Sequence, residues 1–464
     1  MRGEPLWQLY QIAAATGGSL VGESAGPSAA GIYGLSNDTR TLEPGDLFVA
    51  LEAARDGHDF LKAAFDAGAA AALVSRADTS LGPQIVVQDT LSALEHLAAA
   101  ARDRFFGYII GVTGSVGKTT TKEMLRHALK PLGEIHAAEQ SFNNHIGVPM
   151  TLAELPPTAD VAVMEMGMNH SGEIRGLTTL AKPHIAIITA IAEAHLENLG
   201  SIEAIADAKA EIAEGLLPGG SIILPADSPH LGRLRQRCSE VGVNNVRTFG
   251  EKGADASILS AESDGSKIAV RADVLGREVS WTLGHSGLHL VSNSLAALLA
   301  AALAGAEPKD AAASLDHFVP GEGRGSSFAF AVDGKTIKVI DESYNANPAS
   351  MRAAFAVLGQ ASGRRVAVLG DMRELGPDSE ALHAELAPDL QKACDRVHTA
   401  GSDIQQLRLA LPQSVRGLHV AQGDELLQPL LDDIQDGDTL LFKGSKASNI
   451  GGLLSQFLKM GQRL

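Results

Sequence analysis

Residues 111–120 read GVTGSVGKTT, between an apolar run at 108–112 (YIIGV) and a helix-like segment at 120–129 (TTKEMLRHAL). A strand, a glycine-rich turn and a helix in that order predict a phosphate-binding loop in an α/β fold. Glycines at 111, 114 and 117 let the backbone turn its N–H groups toward phosphate oxygens, and the helix N-terminus adds partial positive charge. Lys118 is placed to neutralise β- and γ-phosphates, and the Thr119 hydroxyl to bind Mg2+. Thr113, Gly114, Ser115, Val116 and Gly117 complete the candidate nucleotide-binding stretch. The general pattern GxxxxGK[ST] wants its first glycine at position 112, where this chain has Val112. Kinases, hydrolytic switches, transporters and ligases all share such a loop, so it does not name a reaction.

Outward from the loop, strand candidates recur at 161–164 and 185–189, each followed by polar residues. Strands alternating with helices predict a parallel sheet whose sites gather at the carboxyl ends of the strands. Upstream, residues 47–51, 70–75 and 85–88 read as strands, and 59–67 and 91–106 as helices. Between 221 and 283 the pattern turns β-rich (SIIL, SKIAVRADV, REVSWTL), which predicts an antiparallel side sheet. A helix is expected over 292–304, and the Pro- and Gly-rich VPGEGRGSS at 319–327 marks a boundary. Strands are expected again at 336–340, 365–369 and 439–442. The predicted organisation is α/β with three domains. These are a small N-terminal α/β domain (1–106), a central phosphate-loop domain (107–318) and a Rossmann-like C-terminal domain (319–464).

The 464 residues carry 38 basic and 55 acidic side chains, a formal charge of −17, which argues against a nucleic-acid partner. An anionic substrate is still allowed, because a few placed Arg and Lys residues make a locally positive cleft in an acidic protein. Cys238 and Cys394 have no metal-ligand spacing and no CxxC, so a disulfide framework is not expected and a reducing, cytoplasmic setting fits. The N-terminal stretch MRGEPLWQLYQIAAATGG lacks the continuous apolar core of a secretory signal. The most apolar later stretch, 295–304, falls short of the roughly 20 residues a bilayer needs, so no membrane insertion is expected.

Other candidates cluster after the predicted strands. Glu165 ends the run 161–164, where a carboxylate can hold Mg2+ beside Thr119. His195 follows the next strand, in AHLENLGS. Lys209, in AIADAKAEI, reads by itself as a solvated helix lysine, and Asn143 and Asn144, in SFNNHIGVP, as turn residues. Asn293 lies on a predicted helix, from which its amide can reach an adenine edge. DESYNANP at 341–348 reads as a strand passing into a turn. No Ser–His–Asp or Cys–His nucleophile stands out, and neither cysteine has an activating context.

Taken together, GVTGSVGKTTTKEML, SFNNHIGVP, EMGMNHSGEI, AHLENLGS, the Lys209 helix, GLHLVSN and the Arg324 loop resemble the Mur ligase family of peptidoglycan synthesis, along essentially the whole chain. Within that family, DESYNANPASM followed by VLGDMRELG is similar to the members that add D-alanyl-D-alanine to UDP-N-acetylmuramoyl-tripeptide. SNDTRTLEPGDLFVAL and DGHDF are similar to the family's nucleotide-sugar-binding domain, which makes Thr39 and Arg40 substrate-binding candidates along with Asn143 and Asn144. The family's usual His-Asn pair reads His289-Leu290 here, so Asn293 alone is carried over.

The resemblance implies an ATP-dependent ligase acting through an acyl phosphate, with two Mg2+ ions. Thr119 and Glu165 would hold the first ion, and His195 with a carbamylated Lys209 the second. Asn293, Arg324 and Asp341 would contact the nucleotide, and Tyr344 and Asn345 the nucleotide or the acceptor. It also implies a monomer whose C-terminal domain closes onto the ATP-bound central domain. Lysine and diaminopimelate both stay open as third residue of the tripeptide. The competing readings are a family member acting on another amino acid or a folate-like carboxylate, a module that hydrolyses ATP without ligation, and a catalytically silent scaffold, against which Lys118, Glu165 and Lys209 all speak.

Overall fold

Side chains on a strand alternate between faces, and the strand Tyr108–Thr113 has both faces buried. Ile109 packs with Val148, Met164 and Ile205 on one face. Ile110 and Val112 pack with Met124, Leu125 and Leu295 on the other, each burial stabilising by about 1.5–3 kcal/mol. Helices on both faces force a near-continuous apolar strand, which is the signature of a parallel sheet. This also explains Val112: the position is still strand, its side chain sits under the phosphate-loop helix Lys118–Ala128, and the turn begins two residues later.

The computed structural model describes residues 4–22, 31–251, 253–285 and 287–464; the first three residues of the N-terminal stretch read above lie outside them. Three sheets follow one another along the chain. The first has five strands, ordered Ser19–Val21, Gln84–Val86, Ala71–Val74, Leu47–Val49 and Leu35–Ser36, parallel apart from the first pair. Its helix Thr90–Asp103, started by Asp89 accepting from Ser92 N at 2.6 Å, leans on the central unit. There the Arg102 guanidinium donates to Ala181 O and Lys182 O.

The central sheet has nine strands, and its parallel part includes Ile135–Ala137, Val161–Glu165, Tyr108–Thr113 and Ile185–Ile188. The antiparallel strands expected between 221 and 283 are present as Ala256–Ser263, Ile268–Val274 and Arg277–Leu283. They prolong the edge of the central sheet instead of forming a separate layer. Ser221–Pro225 and Val246–Gly250, grouped with them in the sequence, pair in parallel and belong to the wound part, with helix Leu231–Glu240 crossing between them. The third sheet orders Arg416–Val420, Arg396–Ala400, Arg365–Gly370, Thr439–Lys443 and Lys335–Glu342 in parallel, with Ser326–Val332 and Gln462–Arg463 antiparallel at one edge. Stepping outward from Arg365–Gly370 in both directions gives the doubly wound order of a Rossmann-like sheet.

Candidate active site

One cavity of about 480 Å3 is lined by the phosphate loop and by the ends of strands from both the central and the third sheet. Gly114 (φ 153) and Gly117 (φ 82) bring the loop close to its neighbours: a Cβ at Gly114 would stand 1.8 Å from Thr189 Oγ1, and one at Gly117 2.6 Å from Asn293 Oδ1. Thr189 Oγ1 donates to Val116 O at 2.6 Å, and Ser115 Oγ donates to Ala192 O at 2.9 Å, so the loop is tied to the segment after strand Ile185–Ile188. Thr113 continues the strand below it.

Glu165 is 3 % exposed at the end of its strand. It accepts from Thr119 Oγ1 (2.7 Å), Ser141 Oγ (2.7 Å) and Asn143 Nδ2 (2.7 Å). All three donors are neutral, and Glu165 has no ion pair among the described residues. The Lys118 ammonium donates to Gly114 O at 2.8 Å. Burial, with the nearby Arg324 charge, holds it below the usual lysine value against the opposing pull of Glu165 and Glu374. The Arg324 guanidinium stacks 3.8 Å from the centre of the Tyr344 ring and makes no ion pair among the described residues. Lys118 and Arg324 thus bring to the cavity two cations without an ion pair among the described residues.

Lys209, read from the sequence as a solvated lysine, is 1 % exposed on helix Ile202–Ala210. It has no hydrogen bond or ion pair among the described residues. Burial, reinforced by the Lys118 charge, pushes its amine well below the usual lysine value. His195 adopts φ 61 at the start of helix Leu196–Leu199, lines the cavity, and ion-pairs through Nδ1 with Glu374 of the third-sheet unit. That contact, outweighing burial, keeps the Glu374 carboxyl below its usual value.

Asn293, Tyr344 and Asn345 also line the cavity, and the Asn293 amide has no partner among the described residues. His289 lines it too, one residue before the core residue Leu290. Asn143, expected to meet substrate, has its amide committed to Glu165 and Ser141. Asn144 lines the cavity with its carbonyl capping Ile146 N (3.1 Å) and Gly147 N (2.8 Å). Asp341 is turned inward: it accepts from Gly323 N (2.8 Å), Ser343 N (3.1 Å) and Ser343 Oγ (2.6 Å), fixing the loop that carries Arg324. Thr39 and Arg40 lie apart on the N-terminal unit, where Arg40 pairs with Asp38.

Sequence reasoning passed over Ser141, Lys122 and Glu374. Lys122 is fully buried and donates to Ala138 O and Gln140 O (3.0 Å), pinning the segment that leads to Ser141 and Asn143. A lysine one turn beyond Thr119 on the same helix was the available signal. Glu374 is brought to His195 only by the fold.

Residues 112–301 match the Mur ligase middle domain, and residues 329–446 the Mur ligase, glutamate ligase domain. The UDP-N-acetylmuramoyl-tripeptide–D-alanyl-D-alanine ligase of Bacillus subtilis is 35% identical over 441 residues, covering 92% of this chain and 93% of that protein. A crystal structure of MurF from Acinetobacter baumannii superposes with a TM-score of 0.85 at 31% identity, over 99% of this chain and 100% of that one. The MurF ligase from Thermotoga maritima in complex with ADP gives a TM-score of 0.78 at 26% identity, over 92% and 97%. With such relatives matching from end to end, and with a phosphate loop facing a second sheet across one cavity, the chain belongs to the Mur ligase family.

Proposed function

We infer that this protein joins D-alanyl-D-alanine to UDP-N-acetylmuramoyl-tripeptide at the expense of ATP, giving the UDP-muramoyl-pentapeptide of peptidoglycan synthesis. The observation that carries the chemistry is the cavity in which Thr119, Glu165, Lys118 and Arg324 converge from two sheets. A free carboxylate repels nucleophiles, so the reaction first moves the γ-phosphoryl group of ATP onto the tripeptide's terminal carboxylate. The amine of D-alanyl-D-alanine attacks the acyl phosphate, and the tetrahedral intermediate expels phosphate and leaves an amide. Phosphoryl transfer of this kind is mostly positioning and charge stabilisation. Lys118 and Arg324 face the phosphates with charge not used elsewhere, Asn293 offers a free amide to the adenine, and Tyr344 braces Arg324. Asp341 acts behind the wall by fixing the Arg324 loop, and Asn143 by orienting Glu165.

The donors fit Mg2+. Glu165 is a buried anion with neutral partners, beside the Thr119 hydroxyl, and oxygen ligands suit a hard cation. Thr119 and Glu165 would hold such an ion, which would supply positive charge against the phosphates. His195 and Lys209 would hold a second ion once Lys209 is a carbamate. Burial favours the neutral amine, which can attack CO2, lose a proton and become a carboxylate-like anion. We assign residues 1–106 to the nucleotide-sugar, with Thr39 and Arg40 as candidate contacts, 107–318 to ATP, and 319–464 to the dipeptide. We take the protein to act as a monomer. Buried free Cys238 and Cys394 support a cytoplasmic setting, and among the described residues no helix is long and apolar enough to cross a membrane.

Incubation with ATP, Mg2+, UDP-muramoyl-tripeptide and D-alanyl-D-alanine, followed by mass measurement, should yield the pentapeptide. Phosphate release that ignores the amine acceptor, with no pentapeptide formed, would overturn the reading in favour of an ATP-hydrolysing module.

A further inference from the structure

Glu374 sits on a loop that the third-sheet unit holds from behind. Asp371 accepts from Ser402 N (3.2 Å), Asp403 N (3.1 Å) and Ile404 N (2.9 Å), and the buried His383 accepts from Met372 N at 3.0 Å. From this anchored base the loop meets the His195 segment of the central unit at three points. Glu197 N donates to Glu374 O at 3.1 Å, a Cβ on Gly376 would stand 3.3 Å from Glu197 Cα, and the Glu374 carboxylate pairs with His195 Nδ1. His195 (φ 61) and Glu374 (φ 63) are both left-handed residues without being glycine. Such a conformation is strained for a residue with a Cβ and persists where its surroundings enforce it.

The Glu374 carboxylate stands against Nδ1 of His195, and since an ionised carboxylate can only accept, a proton shared between them belongs on Nδ1. In a neutral ring, Nε2 then keeps its lone pair. It has no partner among the described residues, and the ring lines the phosphate cavity. Metal-ligating histidines are commonly oriented in this way, by a carboxylate on the other ring nitrogen.

We propose that Glu374 is a positioning residue which the C-terminal unit supplies to the central one, aiming His195 Nε2 into the cavity so that the second cation site is complete only when the two units are together. This rests on the reading of His195 as a metal ligand. It gives the contact between units a chemical consequence: a nucleotide-loaded central unit standing open would hold its second ion weakly, and phosphoryl transfer would wait for the dipeptide-bearing unit.

The test uses the full chain, a non-hydrolysable ATP analogue, and Mn2+ counted by electron paramagnetic resonance. The parent should hold two ions. Glu374→Ala should weaken the looser site about 10–100-fold, the range typical of lost outer-shell partners, and leave the tighter site and Tm in place. Glu374→Gln, whose amide oxygen still accepts from Nδ1, should stay within a few-fold of the parent, and His195→Ala should lose the looser ion. If the parent binds a single ion, or His195→Ala keeps both, the ligand reading itself fails. If His195→Ala loses one ion while Glu374→Ala loses none, the role of Glu374 alone is overturned. Equal losses in Glu374→Gln and Glu374→Ala would also overturn it, by making the carboxylate a direct ligand.

Discussion

Gly114→Ala is the most sharply defined perturbation of the phosphate loop. Its Cβ would lie 1.8 Å from Thr189 Oγ1 and 3.1 Å from Ala190 N, at φ 153. The backbone there cannot retreat freely, because Ser115 N donates to Ala190 O and Thr189 N to Thr113 O, both at 2.9 Å. Thr189 must therefore rotate, abandoning Val116 O (2.6 Å) and Thr113 O (3.2 Å). The lost hydrogen bonding costs about 1–2 kcal/mol and the strained φ about 1–2 more, so the loop is disfavoured by roughly 2–4 kcal/mol. Where that cost falls on the nucleotide-competent shape, affinity for an ATP analogue drops about 30-fold or more. Calorimetric titration of Gly114→Ala, Thr189→Ala and the double variant checks the cause. Thr189→Ala alone should cost about 1 kcal/mol, and the double variant should bind no worse than Gly114→Ala, because removing the hydroxyl makes room for the methyl. Binding by Gly114→Ala within threefold of the parent, or losses that simply add in the double variant, would refute the crowding argument.

Lys122→Met should cost about 2–4 kcal/mol in a denaturant melt, because two carbonyls lose a buried donor, and should raise the Mg2+ requirement of the reaction by loosening Ser141 and Asn143 around Glu165. Asn293→Ala should raise the KM for ATP about tenfold with Tm unchanged, since the amide has no partner among the described residues; a lowered Tm would show a structural role. Burial lifts the Glu154 carboxyl from 4.5 to about 7. The folded state therefore binds extra protons between those values, and stability falls as pH rises through that window. Glu154→Gln, which can keep the bond from Leu35 N, should stabilise by at most about 3 kcal/mol above pH 7 and by nothing near pH 4.5. Equal gains in Tm at pH 5 and pH 8 would remove the titration from the explanation.

Much of the frame was readable because local pattern and burial agree. The apolar run 108–112 reads as a strand and is one, buried from Ile109 onward, and Glu165 ends its strand as expected. Other features depend on what the chain meets far away. Ser221–Pro225 is as apolar as an antiparallel strand would be, and only its neighbours Ile185–Ile188 and Val246–Gly250 make it parallel. Arg396–Ala400 (RVHTA) and Arg416–Val420 (RGLHV) carry too many polar residues to announce themselves, although His398 is buried against Asp433. Lys209 occupies a helix whose residues Ile205, Ala206, Ala208 and Ala210 are all buried, and it lies on that packed face, away from the partly exposed Asp207. The resemblance makes Asp341 a nucleotide contact; here its short side chain accepts from Gly323 and Ser343, the common behaviour of Asp at a turn, as the strand-to-turn reading of 341–348 expects.

The way the two parallel sheets face each other explains why the site is divided. Open α/β sheets bind ligands outside the carboxyl ends of their strands. Here the ends of Tyr108–Thr113, Val161–Glu165 and Ile185–Ile188 point into the same cavity as those of Lys335–Glu342 and Thr439–Lys443. A reaction that must bring a phosphoryl donor, a carboxylate and an amine together needs three approaches, and two opposed crevices supply more of them than one. The arrangement also separates tasks by rigidity. Lys118, Thr119 and Glu165 are held by contacts within the central unit, so the phosphate end is organised without the second unit. Arg324, Tyr344 and Glu374 come from the other side, on loops fixed by Asp341 and Asp371. Arg324 already stands near enough to Lys118 to depress its amine, and an anionic nucleotide bound between the two would relieve that repulsion.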